Sequence, residues 1–158
     1  MDAPVNWRRM LATEISAVGC STPEALFVPC AWKQIVEPVE PFLQGVAERL
    51  AAQIHAFDSE ISPYAEYDLT SQGKQLRPAL VALSGAATGE ISDDHTKVAV
   101  IIEMVHLATL VHDDVVDEAD FRRARPTLAT NWGNEISVLL GDCLFAHAET
   151  GGEFSHAR

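Results

Sequence analysis

The segment from about Asp94 to Ala119 constrains this chain most: it is the longest and most apolar stretch with helical character, and it ends in the carboxylates Asp113, Asp114 and Asp117, which read DDVVD. At about 100° per residue, Asp117 lies about 40° around a helix axis from Asp113, so these two carboxylates share one face, one turn apart. His106 falls on the same stripe about two turns earlier, with Glu103 close to it, and Asp114 is turned aside by about 100°. A helix ending in this way needs compensation. Like charges at i,i+4 cost a few tenths of a kcal/mol, and the C-terminal end of the helix dipole disfavours anions. The flanking residues Leu110, Val111, Val115 and Val116 are apolar, and carboxylates beside buried surface need positive charge nearby. Hard cations such as Mg²⁺ take oxygen ligands and share them with substrate phosphates. Taken alone, DDVVD reads first as a solvated acidic face.

The rest of the chain reads as helices too. From Pro41, a residue suited to a first helical turn, Leu43, Val46, Ala47, Leu50, Ala51, Ile54 and Phe57 recur at three and four residues and mark a buried face. Asp58 to Gln72 is a polar connection with room for a short helical turn. Lys74 to Ser84 predicts a helix entered through Arg77-Pro78 and ended by Gly85 to Gly89. Ser92 and Asp93 suit the N-cap of the long helix. Pro126-Thr127 stops the basic stretch after it, and Asn134 suits the cap of a last helix, Glu135 to Ala148, before Gly151-Gly152. The first thirty residues are weakly patterned: Trp7 to Val18 suits a short helix and Cys20-Ser21-Thr22-Pro23 a break, so this region reads as a loosely docked extension. No internal repeat and no alternating strand stands out. The fold class is therefore all-α, a helical bundle.

Composition narrows the function classes. Hydrophobic residues at 47% and charged residues at 22% exclude wholesale disorder, and 158 residues suffice for one domain with a sizeable core. The net charge of −12 argues against a broad nucleic-acid surface while leaving room for a local phosphate site. Cys20, Cys30 and Cys143 form no CxxC, which disfavours a disulfide scaffold or a zinc site and suits a reducing cytosol. Met1-Asp2-Ala3-Pro4 lacks the basic start of a signal peptide. The apolar window Val98 to Val111 is interrupted by Glu103 and His106 and is too short to span a bilayer. The expectation is a soluble, cytoplasmic protein with no transmembrane segment.

Two basic clusters accompany the carboxylates. Arg122 and Arg123 follow Asp117 by five and six residues, with Arg125 beyond, and Gly73-Lys74-Gln75-Leu76-Arg77-Pro78 lies upstream. Guanidinium forks match phosphate oxygens, and Lys74 and Arg77 stand at a predicted helix entrance, where N–H groups favour an anion. Each feature has a plainer reading: surface ion pairs worth about 0–1 kcal/mol each, ordinary surface cations, a core histidine. Together they describe a site for two phosphorylated substrates with a bridging metal. No nucleophile elbow, P-loop or dinucleotide fingerprint is present.

GKQLRP at Gly73–Pro78, HLATLVHDDVVDEADFRRARPT at His106–Thr127 and LLGD at Leu139–Asp142 resemble the first basic motif, the first aspartate-rich region and a further motif of the trans-type polyprenyl diphosphate synthases. The resemblance runs from about Ile35 to Ala148 and divides the chain into an N-terminal extension (1–34), the N-terminal half of a synthase domain (35–148) and a divergent tail (149–158). It implies an all-α isoprenoid-synthase fold, in part, and a homodimer or pairing with a complete synthase. It also implies head-to-tail transfer of an allylic prenyl diphosphate onto isopentenyl diphosphate, with Mg²⁺ as cofactor. By matching position, Asp113 and Asp117 would ligate Mg²⁺ and Asp114 would support them. Lys74, Arg77 and His106 would hold isopentenyl diphosphate, Arg122 would touch the allylic diphosphate and Arg123 the isopentenyl one. Ala108 and Thr109, just before the acidic turn, are not aromatic, which by the resemblance leans towards a medium or long chain. Family members are longer and carry a second aspartate-rich motif that this sequence lacks, so little activity is expected from this chain alone.

Two other readings stay open. His112-Asp113 resembles the pair of an HD-type metal phosphohydrolase, with His95 and Asp142 as the remaining ligands. The chain could also be a non-catalytic metal- or diphosphate-binding subunit, or a gene remnant.

Overall fold

The computed structural model describes residues 27–69 and 73–150. The expected helix Trp7–Val18, the break after it and the Gly151-Gly152 stop lie outside them. The chain divides between Glu37 and Pro38 into two compact units. The first contributes one described helix, α1 (Phe27–Val36).

In the second unit, Val39 closes a short 3-10 turn and leads into α2 (Glu40–His55), with Pro41 in its first turn as expected. Leu43, Val46, Leu50 and Ile54 form its buried face. The polar connection holds more order than its composition suggested: Ser62–Leu69 is a two-turn helix, α3. The Ser62 hydroxyl donates to the Ile54 and Phe57 carbonyls at 3.3 and 3.2 Å, tying its start to the end of α2. Next comes α4 (Leu76–Thr88). It begins two residues later than expected, because Gln75 takes a left-handed conformation (φ 47°). It also runs through Gly85 instead of stopping there. The His95 ring lies so close to Gly85 that a β-carbon would collide with it, so Gly85 is a contact point and Gly89 is the stop.

The long helix α5 spans Asp93–Val116. Ser92 and His95 cap it reciprocally, the Ser92 amide donating to His95 Nδ1 at 3.1 Å. Asp93 falls inside the helix and pairs with Arg49 of α2 at 2.9 Å. Beyond α5 the chain departs from the purely helical expectation. Phe121–Arg122 (β1) and Arg125–Pro126 (β2) form a minimal antiparallel hairpin, with Phe121 opposite Pro126 and Arg122 opposite Arg125. A five-residue helix, α6 (Leu128–Trp132), and α7 (Asn134–Glu149) complete the described chain. The fold class remains all-α.

The core explains the arrangement. Helix α5 lies centrally and packs most extensively on α7, with α4 and α2 on other sides. Ala99, Val100, Met104, Leu107, Ala108 and Val111 of α5 therefore meet Leu50 and Ile54 of α2 and Leu140 and Leu144 of α7 in one cluster. Complete burial of one such large side chain stabilises the fold by about 1.5–3 kcal/mol. Among the described residues, no helix is long and apolar enough to cross a membrane.

Candidate functional site

The last turn of α5 sorts its carboxylates by direction. The Asp117 amide donates to the Asp113 carbonyl at 2.8 Å, so the two residues stack one turn apart as the spacing predicts. Both are exposed, and neither carboxylate accepts a hydrogen bond or ion pair from another side chain among the described residues. Asp114, turned aside, is only 6% exposed. Its Oδ1 accepts Arg122 Nε at 2.8 Å and Arg122 Nη2 at 2.6 Å. That bonding holds the Arg122 guanidinium above its already high basicity. The hairpin makes the meeting possible by folding Arg122 back over α5.

A second buried carboxyl joins this side, one that the sequence analysis left inside a connection. Asp68 of α3 is pushed up to about pKa 6, first by burial and next by the Asp114 charge, against the opposing pull of Arg122, Arg123 and Arg125. Its neighbour Tyr67 fixes the hairpin: the phenol donates to the Pro126 carbonyl at 2.9 Å, and the Arg125 guanidinium stacks 4.2 Å from the ring centroid, within cation–π range. Tyr67 also meets Trp132 edge-on, with centroids 4.9 Å apart. Thr127, almost fully buried, closes the far end. Its hydroxyl donates to the Ala119 carbonyl at 2.7 Å and accepts the Thr130 amide at 3.2 Å, capping α6. No strong periodic signal marks Tyr67-Asp68; the only clue is the three-residue spacing of Tyr64 and Tyr67.

The two basic clusters, distant in sequence, converge. The Arg123 guanidinium rests against the Gly73 backbone, so closely that a β-carbon on Gly73 would displace it. Arg77, in the first turn of α4, and Arg123 both act electrostatically on Glu103 and His106 of α5. Burial, then Arg77, Arg123 and Arg122, push the His106 imidazole below its ordinary pKa, with Asp113 opposing; neutral imidazole is therefore favoured at pH 7. Lys74 is exposed in the lead-in to α4. The hairpin holding Arg123 is strained: Arg123 and Ala124 have φ of 51° and 60°. These are the left-handed values that a two-residue hairpin turn demands and that non-glycine residues adopt at a cost.

The donor set fits a hard divalent cation shared with a ligand. Asp113 and Asp117 present unpartnered oxygens on one face, and among the described residues no group of three His, Cys, Asp or Glu could hold a metal unaided. Mg²⁺ usually binds through one or two carboxylates plus substrate phosphates. The HD-type arrangement fails on geometry. His95 caps the first turn of α5 and His112 lies seventeen residues on, about 26 Å along the axis at 1.5 Å per residue. His112 instead packs its ring on Gly141, with Nε2 3.2 Å from the Val138 carbonyl and 3.6 Å from Asp142.

The described residues thus form a mainly helical scaffold whose long helix carries two exposed carboxylates at its end, with the two basic clusters meeting where Arg123 rests on Gly73. Residues 58–150 match the polyprenyl synthetase family. The chain is 36% identical over 126 residues to solanesyl diphosphate synthase 2, chloroplastic, of Arabidopsis thaliana, covering 76% of this chain and 30% of that protein. The crystal structure of a decaprenyl diphosphate synthase from Rhodobacter capsulatus superposes with a TM-score of 0.71 at 31% identity, over 77% of this chain and 38% of that one. A polyprenyl synthase from Caulobacter crescentus CB15, complexed with calcium and isoprenyl diphosphate, superposes with a TM-score of 0.70 at 36% identity, over 76% of this chain and 37% of that one. This chain belongs to the polyprenyl synthetase family, and it spans about a third of the length of the relatives it matches.

Proposed function

We propose that this chain carries the isopentenyl diphosphate cradle and the first metal-binding turn of a long-chain polyprenyl diphosphate synthase. The observation that carries this reading is the convergence of Gly73, Arg77 and Arg123 beside His106, on the α5 stripe that ends at Asp113 and Asp117. In this reading Arg77, Arg123, Lys74 and neutral His106 bind one diphosphate and fix the attacking double bond. Asp113 and Asp117 would hold Mg²⁺, which when bound stabilises negative charge developing on the allylic diphosphate as it leaves. Asp114 holds Arg122 at the edge of the acidic turn, from where that guanidinium would meet the allylic diphosphate. The apolar flank of α5 keeps water from the reacting carbons.

Long product length is supported by the relatives' names and by the residues before the acidic turn. Ala108 is fully buried, and Thr109, half-buried, donates its hydroxyl to the His106 carbonyl at 2.7 Å, so neither projects bulk. Incubation with radiolabelled isopentenyl diphosphate, an allylic primer and Mg²⁺ tests the transfer. Elongated product that depends on Asp113 supports the reading. Turnover undiminished in Asp113→Ala contradicts the metal role.

A second reading, a diphosphate-binding subunit that pairs with a second copy or with a complete synthase, is favoured by the exposure of Leu76, Leu80, Val105 and Leu139 on the described helices. Co-purification with a complete synthase supports it, and a monodisperse monomer in its presence argues against it.

A further inference from the structure

Arg122, Arg123 and Arg125 crowd one hairpin, yet each takes its own direction. Arg122 and Arg125 are paired across the ladder, which puts both side chains on one face, where like charges repel. Asp114 of α5 answers Arg122 from that face, at 2.8 and 2.6 Å. Tyr67 of α3 answers Arg125 with its ring, whose centroid lies 4.2 Å from the guanidinium. The same side chain donates its phenol to the Pro126 carbonyl at 2.9 Å, so Tyr67 holds strand β2 at two points. Trp132 in turn meets the Tyr67 ring edge-on. Arg123, exposed in the turn, is the guanidinium that reaches Gly73. Two residues per strand are too few for a hairpin to be stable unaided, and the turn sets Arg123 and Ala124 at positive φ. Where Arg123 points therefore depends on what anchors the strands. Gly73 lies six residues beyond Tyr67 in the sequence, so the residue that anchors β2 belongs to the segment leading into the first basic cluster.

We infer that Tyr67 is a positioning residue for the diphosphate cradle: its phenol, bonded to the Pro126 carbonyl, ties the hairpin to α3 and so sets Arg123 beside the first basic cluster. The inference rests on reading that cradle as a diphosphate site, and adds to it the residue that brings its two halves together. A tyrosine that merely packed would lower stability when its hydroxyl was removed, and would leave the affinity of the folded chain alone. A tyrosine that aims Arg123 lowers affinity, and does so only while Arg123 is present.

The experiment is calorimetric titration of the full chain with inorganic pyrophosphate in EDTA, so that no metal takes part. Tyr67→Phe removes the hydroxyl and keeps the ring against Arg125 and Trp132. Folded Tyr67→Phe, verified by thermal melting, is expected to bind about fivefold more weakly, the effect of losing one net hydrogen bond. In the Arg123→Ala background the same substitution is expected to change affinity by less than about twofold, because the two residues act as one unit. Amide exchange in the hairpin should quicken in Tyr67→Phe, while exchange in α5 stays as in the parent. Full-strength binding by Tyr67→Phe overturns the inference, and so does a loss of equal size in both backgrounds. If Arg123→Ala binds too weakly to titrate, amide exchange decides, and a hairpin that exchanges no faster than in the parent overturns it. Failure of Tyr67→Phe to fold also overturns it, since the hydroxyl would then serve the whole fold. A parent chain that takes up no pyrophosphate overturns the cradle reading itself, whereas parent binding that ignores Tyr67 overturns this inference alone.

Discussion

Asp113 and Asp114 are adjacent, carry the same side chain and end the same helix, yet they occupy opposite environments. Asp113, with Asp117 one turn on, is exposed and takes no side-chain partner among the described residues. Asp114 is buried, meets two nitrogens of the Arg122 guanidinium, and stands near a second buried carboxyl, Asp68. A rotation of about 100° decides which carboxylate is spent on architecture and which stays available. Stability and ligand binding should therefore separate by residue along this one turn.

The largest effect on stability is expected at the buried side. Asp114→Ala leaves the Arg122 guanidinium, itself half-buried, without its acceptor and should destabilise the fold by about 2–3 kcal/mol. Thermal or urea unfolding measures this, and a loss equal to that of Asp113→Ala would break the distinction between the two faces. Asp68 should show the next effect, as pH dependence. Its carboxyl is raised in the fold to about 6 from 3.8, so between those values the native state binds a proton that the unfolded chain has released. Its contribution is thus most favourable below pH 4 and is lost as pH rises through 6. Asp68→Asn should raise the melting temperature at pH 8, with the gain vanishing towards pH 4; a gain independent of pH would contradict this assignment. At the hairpin tip, Ala124→Gly should relieve a left-handed alanine and stabilise by about 1 kcal/mol, with ligand binding unchanged or tighter. On the exposed face, Asp113→Asn removes an i,i+4 repulsion and should stabilise by only a few tenths of a kcal/mol.

The exposed face could be read in the sequence, and the buried side could not. Helical periodicity alone places Asp113, Asp117 and His106 on one stripe, with the buried Glu103 close to it, because α5 is long and regular. The same arithmetic turns Asp114 aside without naming its partner. Arg122 reaches it only because the chain reverses at Arg123-Ala124, and that turn lacks the Asn-Gly or Asp-Gly signal that marks such a reversal. Two-residue strands leave no alternation to detect. Asp68 was hidden for a related reason: α3 is two turns long and weakly amphipathic, so its composition reads as a connection. Gly85 suggested a helix stop because glycine so often serves as one, whereas here it admits the His95 ring. The meeting of Gly73 with Arg123 is a tertiary event. No local pattern encodes it; the family resemblance alone assigned residues of both clusters to one diphosphate.

The most direct test of the central claim is calorimetric titration of the folded chain with an allylic prenyl diphosphate, with and without Mg²⁺, alongside the double variant Asp113→Asn/Asp117→Asn. The account predicts saturable uptake that requires Mg²⁺ and disappears in the double variant, while the variant melts at or slightly above the parent temperature. Uptake indifferent to Mg²⁺, or retained in full by the variant, would contradict it.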